Sequence, residues 1–146
     1  MPYNRPMSEF KFFHPTEVRY GDLDPQDHVN NSRYLTFFEQ ARINYMIHVG
    51  LFEEGQSFMD IGIILADAHI TFKAPIHFGE QVKVGVRISR LGNKSMTSEY
   101  VIVSEDGQEF ANGSSVLVAF DYRTRQTISV PEEWREKIMN FEKMKP

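Results

Sequence analysis

The sequence predicts an α+β fold, one long helix facing one antiparallel sheet. Three observations carry that expectation. A single long helical repeat runs over residues 32–49. Four later stretches alternate apolar and polar residues with a period of two. Short clusters of turn residues join those stretches, which implies antiparallel neighbours. The length suits one domain, 1–146, large enough to bury a sizeable core.

In chain order, a first strand is expected over residues 12–20. The helix follows. Tyr34, Phe38, Ala41 and Tyr45 form one apolar stripe, flanked by Leu35, Phe37 and Met46, while Thr36, Gln40, Asn44 and His48 form a polar one. Gly50 is a C-cap candidate. So wide an apolar face predicts a helix wrapped by sheet rather than one resting lightly on it. Strands are then expected at residues 69–73, 82–88, 96–103 and 116–122. In the first of these, Ala68, Ile70 and Phe72 point one way and Asp67, His69, Thr71 and Lys73 the other. Pro75, Gly79, Gly92-Asn93 and Asp106-Gly107 punctuate the series, and the two dipeptides read as hairpin turns. A short C-terminal helix follows Pro131 and contains Trp134.

Composition narrows the function. Hydrophobic residues make up 41% and charged residues 25%, with a net charge of −4, and no basic run offers a nucleic-acid surface. Cysteine is absent, which excludes disulfides, thiolate metal sites and cysteine nucleophiles. The histidines, at 14, 28, 48, 69 and 77, lack metal-ligand spacing, so no metal and no cofactor is expected. Residues 55–59, GQSFM, fail the nucleophile-elbow pattern at their last position. No signal segment or membrane-length apolar run occurs, so a cytoplasmic location is expected.

The chemistry concentrates in GDLDPQDHVNNSRYL, residues 21–35. Asn30, Asn31 and Ser32 stand where a helix N-cap belongs. Amides of a first helical turn carry partial positive charge and can hold an oxyanion. Asp24 lies close enough in sequence for its loop to fold a carboxylate back toward them. A carboxylate facing an oxyanion hole can hydrolyse an activated acyl group, by activating water or by direct attack. Asp22 reads as a turn-closing residue, Asp27 as solvated, and Glu39 with Arg42 as a structural i, i+3 pair at a subunit interface.

RYGDLDPQDHVNNSRYLTFFEQAR resembles the opening motif of the 4-hydroxybenzoyl-CoA thioesterase-like family of the hotdog-fold superfamily. HITFKAPIHFGEQVKV and SVLVAFDYRTRQTISVPEEW are similar to its later elements, in the right order. The resemblance implies a hotdog fold, assembly into homodimers or homotetramers, and metal-free hydrolysis of acyl-CoA or acyl-carrier-protein thioesters. It implies Asp24 as the catalytic carboxylate, the Asn31 amide as the group polarising the carbonyl, and Lys94 near the CoA phosphates. His28 either orients Asp24 or a water or pins the loop by hydrogen bonds, and the flanking Val29 and Asn30 would lie beside the substrate. His-Val-Asn-Asn is nearer to the fatty acyl style than to the aromatic one, which leaves the acyl group open. Two rivals stand beside this reading: a hotdog enoyl-CoA hydratase or dehydratase, because GDLDPQDH loosely resembles the hydratase motif, and a non-catalytic acyl-CoA-binding module.

Overall fold

The computed structural model describes residues 7–57, 59 and 62–145. Strand β1 (Phe12–Glu17) leads into the long helix α1 (Asn31–Val49), then β2 (Ile63–Phe72), β3 (Gln81–Leu91), β4 (Ser95–Ser104), β5 (Glu109–Asp121), the two-residue β6 (Gln126–Thr127) and helix α2 (Glu132–Glu142). The main sheet runs β1-β3-β4-β5-β2, antiparallel throughout, with β6 paired to β5. Both expected hairpins join β3 to β4 and β4 to β5. The link from β2 to β3 is a crossover, because β2 pairs with β5 at the far edge.

Several boundaries differ from the sequence reading. β1 ends at Glu17, where the chain turns through a one-turn 3-10 segment, Tyr20–Asp22. β2 begins before the expected residue 69, and β5 before residue 116. The first half of β5 reads EFANGSS, whose Asn-Gly-Ser run looks like a turn. Close packing explains the glycine. A Cβ on Gly113 would lie 2.8 Å from Phe38 Cε2 and would collide with the His69 carbonyl oxygen. Gly113 is therefore where the central helix and the neighbouring strand both press on β5.

α1 buries Tyr34, Phe37, Phe38, Ala41, Arg42, Tyr45 and Met46 against the inner face of the sheet. Leu35, expected to flank that stripe, is exposed instead. Phe38 stacks on Tyr100 with centroids 4.5 Å apart. The inner sheet face contributes Val82, Val84, Val86 and Ile88 from β3, and Met96, Tyr100 and Ile102 from β4. Register shifts at Leu65/Asp67, Ile88/Arg90 and Ile102/Val103 bend the strands around the helix. Gly50 ends the helix in the left-handed region, φ 93°, as its type predicts. On the outer face Phe10 and Phe13 lie on Val101 and Val103.

α2 closes the open end of β3. β1 pairs with β3 only as far as Val86, and the next inward amide, Ile88 N–H, donates to Glu142 Oε2 at 3.0 Å. The buried Tyr45 hydroxyl donates to the same oxygen at 2.6 Å. Burial and the Glu142 carboxylate push the Tyr45 phenol far above its ordinary range, so it stays a neutral donor. Glu142→Ala removes the acceptor that these two donors share. We expect a loss of about 2 kcal/mol, read as a fall in thermal midpoint, with Glu142→Gln recovering most of it.

Candidate active site

Backbone pairing shapes the loop between β1 and α1. Asp22 Oδ2 accepts the Arg19 N–H at 2.8 Å, Oδ1 lies 3.7 Å from Arg33 Nε, and the Asp22 carbonyl accepts the Asn30 N–H at 2.7 Å. Asp22 thus holds the loop's neck. Asp24 closes the tip: its Oδ1 accepts from Gln26 N–H at 2.9 Å and His28 N–H at 3.2 Å, and its own N–H donates to the His28 carbonyl at 2.8 Å. Asp27 takes the left-handed conformation this turn needs, φ 63°. Val29 N–H then donates to the Ile76 carbonyl at 2.8 Å, and His28 bridges to His77 with rings 5.0 Å apart, edge to face. The loop is stitched to the segment leaving β2.

Asn30 is the N-cap. Its Oδ1 accepts from both the Ser32 N–H and the Ser32 hydroxyl at 2.9 Å, and its carbonyl accepts the Arg33 N–H at 2.9 Å. Asn31 begins the helix, and its N–H has no acceptor among the described residues.

Asp24, His28, Val29 and Asn31 line one cavity of about 320 Å³, together with Tyr34, Phe72 and residues 73–75. One oxygen of Asp24 is committed to the turn; Oδ2 accepts no hydrogen bond among the described residues. Tyr34 is buried and meets Phe72 edge-on at 4.9 Å. Burial first, then the carboxylates of Asp24 and Glu80, hold its phenol above the ordinary range, against an Ile76 backbone hydrogen bond. A neutral phenol thus sits within the field of Asp24. Lys73 Nζ lies 3.2 Å from Glu109 Oε2 at the cavity's edge.

Four of the six expected site residues therefore share one cavity, while Asn30, exposed, caps helix α1. Lys94 stands elsewhere. Its Nζ donates to Thr127 Oγ1 at 3.3 Å, and its carbonyl accepts the Ala119 N–H. From Ala119 to Ala111, the partner of Phe72, β5 runs about 26 Å at roughly 3.3 Å per residue. The Glu39–Arg42 pair is real but loose, at 3.9 Å. Tyr34, Phe72 and His77 were not foreseen as neighbours of the site. The first two read as core positions, and an isolated bridge such as His28–His77 leaves no periodic trace. Among the described residues no three His, Cys, Asp or Glu side chains gather as a metal site.

A long helix wrapped by a bulged antiparallel sheet, with a polar cavity at the helix start, defines a hotdog-fold protein. The profile of the Thioesterase-like superfamily matches residues 18–138, and the chain belongs to that superfamily. Among curated proteins, it is 27% identical over 123 residues to the long-chain acyl-CoA thioesterase FadM of Escherichia coli (strain K12), covering 84% of this chain and 92% of that one. A thioesterase from Thermus thermophilus, solved with coenzyme A and Zn, superposes with a TM-score of 0.83 at 31% identity, covering 96% of this chain and 100% of that one. The DHNA-CoA thioesterase of Staphylococcus aureus superposes with a TM-score of 0.77 at 25% identity, over 90% and 91% of the two chains.

Proposed function

We propose that this protein is an acyl-CoA thioesterase whose site is the cavity at the start of α1. One observation carries the reading: Asp24, whose Oδ2 is uncommitted, and Asn31, whose helix amide is unpartnered, line the same cavity. The relatives named for acyl-CoA thioesterase activity and for bound coenzyme A support the substrate class.

The chemistry follows from those two groups. The thioester carbonyl oxygen points at the Asn31 N–H. Asp24 takes a proton from water as the hydroxyl oxygen bonds to the carbonyl carbon, and the developing oxyanion is held by the amide and the helix start. The intermediate collapses, the C–S bond breaks, and the proton on Asp24 passes to the departing CoA thiolate. Direct attack by Asp24 would instead form an anhydride that water then opens. His28 holds Asp24 in place through its backbone N–H.

CoA needs a cation, and a second copy of the chain supplies one. β2 has a free edge, and its inward-facing Leu65 and Phe72 are 45% and 47% exposed. Such an edge calls for a cover. Full-length antiparallel pairing of two β2 edges puts the Ile63 end of one copy beside the Phe72 end of the other. The hairpin carrying Lys94 lies at that Ile63 end. Lys94 of the second copy then approaches the mouth of the first copy's cavity, where CoA phosphates would lie.

Thiol release from a panel of acyl-CoAs tests the function. We expect free CoA from at least one saturated acyl-CoA. With crotonyl-CoA, loss of enoyl absorbance without thiol would favour a hydratase. Thermal stabilisation by acyl-CoA with no thiol release from any substrate would favour a binding module.

A further inference from the structure

A second cavity, of about 540 Å³, lies farther along α1. It is lined by helix residues Gln40, Arg42 and Ile43 and, across the seam, by Ile63 of β2. The first cavity touches α1 at Asn31 and Tyr34 and β2 at Phe72. Both cavities touch α1 and β2, and Arg42, about three helical turns after Asn31, lies on the stripe that Asn31 begins. Between them β2 turns Leu65 and Ala68 inward, both exposed and both apolar. An acyl chain whose carbonyl sits at Asn31 has an apolar track leading to the second cavity.

Arg42 stands at the end of that track. Its side chain is only 9% exposed, so its charge has little water around it. One N–H donates to the Tyr100 hydroxyl at 3.0 Å, and that hydroxyl shares a 2.7 Å hydrogen bond with Ser115. Its counter-charge, Glu39, is 3.9 Å away and 66% exposed. A guanidinium has five N–H donors, and this arrangement leaves some for a ligand. A buried cation with spare donors, lining an apolar groove, fits an oxygen atom carried on an apolar chain. Because Glu39 already balances the charge, a neutral oxygen suits the site better than a second carboxylate.

We propose that Arg42 selects the far end of the acyl chain, favouring substrates that carry a terminal hydroxyl over plain alkyl chains. The proposal rests on the thioesterase reading above and names its substrate class. Tyr34 to Arg42 spans about 12 Å of helix, so the effect belongs to medium-length chains.

The test compares kcat/KM for alkanoyl-, ω-hydroxyalkanoyl- and ω-carboxyalkanoyl-CoA at matched lengths from six to twelve carbons. The parent should prefer the ω-hydroxy over the plain chain by about tenfold at its best length, the scale of a hydrogen bond to a charged group. Glu39→Gln removes the balancing charge from an exposed position. It should raise the ω-carboxy to ω-hydroxy ratio by about tenfold with an unchanged thermal midpoint. Hydrolysis of plain chains with no ω-hydroxy preference at any length, or a ratio unmoved by Glu39→Gln, overturns the proposal and leaves the thioesterase reading standing. No thiol release from any acyl-CoA, butyryl-CoA included, overturns both.

Discussion

Asp24→Asn is expected to lower kcat by about a hundredfold or more, the scale of losing a general base, with the thermal midpoint unchanged. The geometry explains both halves. Asp24 Oδ1 receives the Gln26 and His28 amides, and the amide oxygen of Asn accepts the same two bonds. The loop tip therefore keeps its shape. What changes is the second atom, where an oxygen able to take a proton or to attack becomes an NH₂ that can do neither. Asp22→Asn should behave differently, since its carboxylate holds the Arg19 amide and faces Arg33. It should cost some stability and little turnover. Asp27→Asn should change neither, because Asn tolerates the left-handed turn that Asp27 occupies. Measuring kcat and thermal midpoint for the three variants on one good acyl-CoA decides the assignment. Near-native turnover in Asp24→Asn, or a dead Asp22→Asn with a live Asp24→Asn, would remove Asp24 from the chemistry.

Gly113→Val should damage the fold severely. Its first side-chain atom would meet the His69 carbonyl on one side and the Phe38 ring, at 2.8 Å, on the other. The carbonyl belongs to a paired strand and cannot swing away. The ring is itself stacked on Tyr100. Relief requires β2 or α1 to separate from β5, at a cost of about 3 kcal/mol, the upper range for overpacked cores. For a chain of this size that is a fall in thermal midpoint of roughly 10 °C. Thermal unfolding of the variant reads it directly. Because the α1–β2 seam carries both cavities, turnover should also drop at temperatures where the variant is still folded.

The helix, the two hairpins and the strand cores were legible because each is a local pattern. The stripe through Tyr34, Phe38, Ala41 and Tyr45 is buried as its spacing demands, and Gly50 caps the helix as its missing side chain permits. Asp24 and Asn31 could be paired as candidates because one short loop holds both near the helix start, whereas His28 and Val29 joined them through the family resemblance. The first half of β5 was not legible. Its glycine answers to Phe38 and His69, which are far away in sequence, and alone it looks like a turn. His77 and Phe72 were hidden in the same way, reaching the site only because residues 76–77 pair with residues 28–29.

By itself the sequence determined the helices, the two hairpins, the strand cores and the polar loop, because periodicity, capping and turn chemistry act between residues a few positions apart. Tertiary structure alone decided the strand order, which carries β2 past β3 to pair with β5. It also decided the separation of Lys94 from the cavity within one chain and the meeting of Tyr34 with Phe72. Those are consequences of how a bent sheet closes around one helix. Burial of apolar surface drives that closure without regard to sequence distance, so no local pattern records where it will bring two residues together.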